Sequence, residues 1–130
     1  MTWVMPRRMC WHLDPAPTAP GLIRAELAAW LSGWGLGPAD AEVPLLVVSE
    51  LVTNAVEHAE TPVAVTVILE ESILDIRVRD HSRAAPILQQ RDPLSVRGRG
   101  LQVIAALATS WGWTPLPDGK TVWARVTPRA

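Results

Sequence analysis

The stretch SELVTNAVEHAETPVAVTVILEESILDIRVRD, Ser49 to Asp80, changes its period halfway along, and that change sets the fold. Up to Ala59 the apolar residues Leu51, Val52, Ala55, Val56 and Ala59 recur at helical spacing. Thr61-Pro62 ends the helix, because a proline disfavours helical backbone in the residue before it. Beyond it Val63, Val65, Val67 and Leu69 alternate with Ala64, Thr66, Ile68 and Glu70. After Glu71-Ser72, Leu74, Ile76 and Val78 alternate with Asp75, Arg77 and Arg79, so a hairpin of period two follows the helix. Its second strand delivers Asp80 at its end.

Working outward, Arg8 to Leu13 is a candidate strand, and DPAPTAP at 14–20 is a loop. A helix is predicted from Pro20 to Trp34, with Ile23, Leu27, Trp30, Leu31 and Trp34 on one face. Gly33 to Pro38 stops it, and the next helix starts near Ala39 or Asp40. Downstream, His81 to Arg97 keeps no period and is punctuated by Pro86 and Pro93, as lids and binding loops often are. GRGLQVIAALATSW, Gly98 to Trp111, predicts a third helix with Leu101, Ile104, Leu107 and Ala108 inside. A last hairpin runs from Gly112 to Pro115 and from Thr121 to Val126, with its turn at Pro117-Asp118-Gly119. Strand pairs joined by short turns, with helices between, predict an α+β two-layer sandwich: a mostly antiparallel mixed sheet with helices on one face.

The chain of 130 residues is long enough for one domain with a real core, with residues 1–7 expected to be flexible. A hydrophobic content of 48% with 19% charged residues describes a globular protein rather than a disordered one. A net charge of -1 provides no field to gather nucleic acid or an anionic membrane, so neither is an expected partner. One cysteine, Cys10, excludes an internal disulfide and suits a reducing compartment. No apolar run reaches the roughly 20 residues of a membrane helix. The first residues lack the apolar stretch of a secretory signal, so a cytoplasmic location is expected. Lys120 is the only lysine among 12 basic residues and every aromatic is tryptophan, a skew read as mutational bias.

With Glu50 at zero degrees on the helix, Glu57 falls at about -20, Asn54 at about 40, Thr53 at about -60 and His58 at about 80. Val48, Leu51, Val52, Ala55 and Ala59 lie on the opposite arc, so the polar residues form one stripe. A face turned to water is the plain explanation. Two features count against it. Earlier in the helix the same sector holds Val43, Leu46 and Val47, and the stripe lacks the basic residues that usually accompany glutamate on a solvated helix. Carboxylate and amide oxygens without cations are what a hard metal ion accepts. Asp80, at a strand end, is a turn residue or a binding residue. Gly98-Arg99-Gly100 is either a plain turn or a helix N-terminus open to phosphate. Thr121 by itself reads as a strand residue.

Glu-x-x-x-Asn on a helix, an aspartate ending a strand, a loop, Gly-x-Gly-Leu opening a helix and a late Gly-Lys-Thr strand together resemble the GHKL, or Bergerat-fold, ATPases. SELVTNAVEHA, VRDHS, GRGLQVI and GKTVWA are the matching segments, and the layout covers nearly the whole chain. Within that superfamily the chain is most similar to the anti-sigma-factor serine/threonine kinases, in particular the short actinobacterial ATP-binding regulators.

The resemblance implies a histidine-kinase-type ATPase fold that takes ATP and magnesium. It implies that Glu50 is the general base and that Asn54 ligates magnesium through its amide oxygen. Asp80 would accept the adenine amino group, Thr121 would line the adenine end, and 81–97 would be the ATP lid. Gly98, Gly100 and Leu101 would meet the phosphates, with charge added by Arg97 or Arg99. His58 would be packing or support. The implied reaction moves the ATP γ-phosphate to a serine of a STAS-domain antagonist, with a sigma factor as second partner and a homodimer as the assembly. Asp80-His81-Ser82-Arg83-Ala84 departs from the family pattern, which places glycine after the aspartate. A Cβ at Ser82 restricts the backbone there. The alternative is a module of the same fold that holds nucleotide and partners without transferring phosphate.

Overall fold

The computed structural model describes residues 7–86 and 100–128, apart from the side chains of Gly100 and Leu101. Its elements run β1 (Arg8–Leu13), α1 (Ala19–Gly33), α2 (Pro38–His58), β2 (Val63–Glu70), β3 (Ile73–Asp80), α3 (Gly100–Leu107), β4 (Ser110–Leu116) and β5 (Gly119–Val126). The five strands lie in the order β1-β2-β3-β5-β4, and every pairing is antiparallel. The expected α+β sandwich is therefore present, with no parallel pair among the described residues.

Alternation builds the two faces of the sheet. Val63, Val65, Val67 and Leu69 of β2, Leu74, Ile76 and Val78 of β3, and Val122, Ala124 and Val126 of β5 are all buried. They meet Ile23, Leu27 and Leu31 of α1, Val47, Val48, Leu51, Val52 and Ala55 of α2, and Ile104 of α3 in one core. The other face carries Asp75, Arg77, Thr121, Trp123 and Arg125, and an open cavity of about 340 Å³ lies over it. Packing rather than helix propensity holds α2 in place, because it touches α1, α3 and three strands. Pro38 opens α2 at a position that needs no N–H bond, and the buried Pro44 in its second turn gives up one ladder bond.

Of the segment expected to be flexible, only Arg7 lies within the described residues. It is pinned: its Nε donates to the Leu69 carbonyl at 2.8 Å, and its guanidinium lies 5.3 Å from the Trp34 ring centre.

One boundary is corrected. The third helix, expected to reach Trp111, ends at Leu107, and β4 takes Ser110 to Leu116. Both the N–H and the hydroxyl of Thr109 donate to the Arg125 carbonyl, at 2.8 and 2.9 Å, which turns the chain into the sheet. Trp111 then pairs with Ala124 and Gly112 with Trp123. The Trp123 ring lies so close to Gly112 that a Cβ there would stand 2.8 Å from it, so a side chain at 112 would push the indole aside.

Candidate functional site

The polar stripe of α2 is not a plain wet face. Glu50, Thr53 and Asn54 are half-buried, while Glu57 and His58 are exposed. Partial burial lifts the Glu50 carboxyl above the usual carboxylate range, and the negative charge of Glu57 lifts it further. The Arg24 guanidinium pulls it back down. Arg24 comes from α1, where its Nη1 donates at 2.8 Å to Oγ of the buried Ser49. Neither Arg24 nor Ser49 stood out in the sequence. The arginine sits on a different helix, and the serine is an ordinary polar residue until its burial is known.

The second part of the site lies at the end of β3. Asp80 is 1% exposed and pairs with Lys120 of β5, whose side chain is 5% exposed. The ammonium lies 3.0 Å from Oδ2 and 3.1 Å from Oδ1, and it donates at 3.4 Å to the Ser82 carbonyl. The Ser82 N–H donates to Asp80 Oδ1 at 2.9 Å. This turn fixes the carboxylate from its own strand end, as aspartates commonly do. Gly119 closes the arrangement. A Cβ there would come within 2.1 Å of the Asp80 carbonyl oxygen, so only glycine lets β5 start this close to β3. Arg79 reaches Asp118 in the same turn and fastens it from the outer face.

Thr121 is placed differently from expectation. Val122, Ala124 and Val126 point into the core, so strand parity turns Lys120 inward beside Asp80 and Thr121 outward. Thr121 lines the outer cavity with Asp75, Arg77 and Trp123, on the face opposite Asp80. The residue beside the aspartate is Lys120, which is not among the expected site residues. The same parity, applied to β5, identifies it.

The two parts are joined where α2 ends. Glu60 follows the helix with a φ of 56, and Thr61 Oγ1 accepts the His81 N–H at 2.9 Å. The residue after Asp80 is thus tied to the residue that leaves α2. Gly100 opens α3, which packs against α2. Arg97, Gly98, Arg99 and all of the expected lid from residue 87 onward lie outside the described residues, as does the Leu101 side chain.

The described residues hold no cluster of three or more His, Cys, Asp and Glu that could take a metal by itself. A few protein oxygens with phosphates completing the shell is the usual arrangement for magnesium, and Asn54 one turn from Glu50 fits it. No helix among the described residues is long and apolar enough to cross a membrane.

A half-buried glutamate, an amide one turn further on and a buried aspartate at a strand end thus lie on a five-stranded antiparallel sheet covered by helices. The family model of the histidine kinase-like ATPase domain matches residues 13–126, and the chain belongs to that family. Among solved structures, the RsbU and RsbW domains of Rv1364c from Mycobacterium tuberculosis are similar in fold, with a TM-score of 0.71 and 22% identity. That match covers 93% of this chain but only 32% of the other. A comparison with curated proteins gives no match.

Proposed function

We infer that this protein is an ATP-binding regulator that acts as an anti-sigma-factor kinase, moving the ATP γ-phosphate to a serine of a STAS-type antagonist. Membership of the ATPase family and the RsbW-type fold support the class. The observation that carries the chemistry is Glu50, half-buried on α2 with its carboxyl lifted above the usual range, one turn from Asn54. A base of raised pKa takes a hydroxyl proton more readily at neutral pH.

In this reading the serine oxygen forms a bond to the γ-phosphorus as the bond to the β–γ bridging oxygen breaks, and ADP departs with that electron pair. Glu50 receives the proton of the serine hydroxyl. Asn54 holds magnesium through its amide oxygen; when bound, the ion neutralises phosphate charge. Asp80 accepts from the adenine amino group. Gly98, Gly100 and Leu101 present the start of α3 to the phosphates, with Arg97 and Arg99 beside them. A sigma factor and a second copy of the chain are the further partners this reading entails.

Two observations favour a second reading, a nucleotide-binding module without transfer. The segment after Asp80 has no glycine, and Asp80 already carries an ion pair. Titration with magnesium-ATP, then a radiolabel transfer assay on a STAS-domain protein, separates the two. Wild type is expected to bind and to transfer. Asn54→Ala is expected to lose at least tenfold in affinity, and Glu50→Ala to bind but transfer at least a hundredfold more slowly. Full transfer by Glu50→Ala would remove the base assignment, and binding without transfer in wild type would establish the module.

A further inference from the structure

Ser49, Asp80 and Lys120 are the buried polar residues of the described chain. Arg24 accounts for Ser49, and adenine recognition accounts for Asp80, but nothing so far accounts for Lys120. It is the chain's only lysine, while arginine fills every other basic position. Arginine is a wide planar fork, whereas an ammonium is a compact charge with three donors and fits a closed corner between two strands. Lys120 spends those donors on Asp80 Oδ1, on Asp80 Oδ2 and, at the longest distance of the three, on the Ser82 carbonyl.

A carboxylate offers about four acceptor positions. Among the described residues, Asp80 has Lys120 and the Ser82 N–H on Oδ1, but only Lys120 on Oδ2. An acceptor position therefore remains on Oδ2, next to an ammonium whose 3.4 Å bond to Ser82 is the easiest to exchange. An acceptor beside a donor is complementary to the edge of adenine, which has an amino group next to the ring nitrogen N1.

We propose that Lys120 is a base-reading residue: Asp80 Oδ2 accepts from the adenine amino group while Lys120 Nζ donates to N1. The inference rests on the nucleotide-binding reading above and adds a specificity-determining residue to it. Displacement of Lys120 by the base is the competing route. It would leave an ammonium buried without its carboxylate, a far larger cost than a neutral amino group returns. The pair therefore stays intact and is shared with the base. Both contacts are charge-assisted, one through the ammonium and the other through the carboxylate.

The test is calorimetric titration of the full chain with magnesium-ATP and with magnesium-1-deaza-ATP, in which a C–H replaces N1. Wild type is expected to bind the deaza nucleotide about tenfold to a hundredfold more weakly. A double variant, Asp80→Asn with Lys120→Met, removes both charges together and keeps an oxygen for the amino group. It is expected to bind ATP more weakly and to treat the two nucleotides alike. Equal binding of both nucleotides by wild type overturns the proposal and leaves nucleotide binding intact. Discrimination that survives in the double variant overturns the part given to Lys120. Absence of any ATP binding by wild type overturns both readings, and because the wild-type comparison needs no substitution, a double variant that fails to fold does not decide the matter.

Discussion

The two parts of the site hold their carboxylates in opposite ways. Glu50 is half-buried, and the cation near it among the described residues, Arg24, is directed by hydrogen bond to Ser49 rather than to Glu50 itself. Asp80 is closed off from water and held by an ammonium, a backbone N–H and the packed start of β5. The first arrangement leaves a carboxylate uncomfortable in its charged form, which suits a group that takes up a proton. The second holds a carboxylate in one orientation, which suits a group that only recognises. On the proposed function the contrast would separate chemistry from recognition within one small domain, and substitutions at each part should fail differently.

The largest effect is expected from Asp80→Ala, which leaves the Lys120 ammonium buried and unpaired. Urea unfolding should show a loss of about 3–5 kcal/mol. Adding Lys120→Met should restore most of it, because removing both charges avoids the uncompensated one. If the single variant is as stable as wild type, the pair is not holding β3 to β5. Next in size is Gly119→Ala, with an expected loss of about 1–3 kcal/mol as the new Cβ drives β5 away from the Asp80 carbonyl. The same methyl shifts the Asp80 carboxylate, so on the proposed function nucleotide affinity should fall with stability. At Glu50 and Asn54 affinity or transfer should fall alone.

Much of this layout was legible in the sequence, for reasons particular to each segment. The β2–β3 hairpin and the first two helices were found to within about two residues, because long apolar stripes at one period leave no second solution. The end of α3 was missed because Leu107 and Ala108 continue a helical stripe into a strand that begins with two tryptophans around Gly112. What decides that boundary is the bond from Thr109 to Arg125, a contact between distant residues. On the site, the α2 stripe was visible as a pattern, since its members are four residues apart or fewer. The Asp80–Lys120 pair spans 40 positions. Its clues are the parity of β5 and the isolation of one lysine among arginines, whereas the Gly-Lys-Thr motif points to Thr121.

A smaller gain is expected at the joint between the two parts. Glu60 adopts left-handed backbone just past α2, where a side chain costs about 1–2 kcal/mol and glycine costs little. Glu60→Gly should therefore stabilise the protein by about 1 kcal/mol in urea, without altering the bond from His81 to Thr61. No gain would mean that the Glu60 side chain contributes as much as its backbone costs.

The smallest effect, and the one that isolates the behaviour of Glu50, depends on pH. A carboxyl whose pKa is raised by folding binds its proton more tightly in the native state than in the unfolded chain. Its favourable linkage is complete below the unfolded pKa and is lost as pH rises through the folded value. At neutral pH the charged Glu50 therefore destabilises the fold relative to a neutral group of the same shape. Glu50→Gln should be more stable than wild type in urea at pH 7, and the difference should shrink as pH falls below the carboxylate range, where wild type is neutral as well. Glu57→Gln removes the second cause of the shift and should give part of the same pattern, since burial comes first. A gain of equal size at both pH values would show that the amide improves packing instead. That would take away the reason for treating Glu50, rather than its neighbour Glu57, as the base.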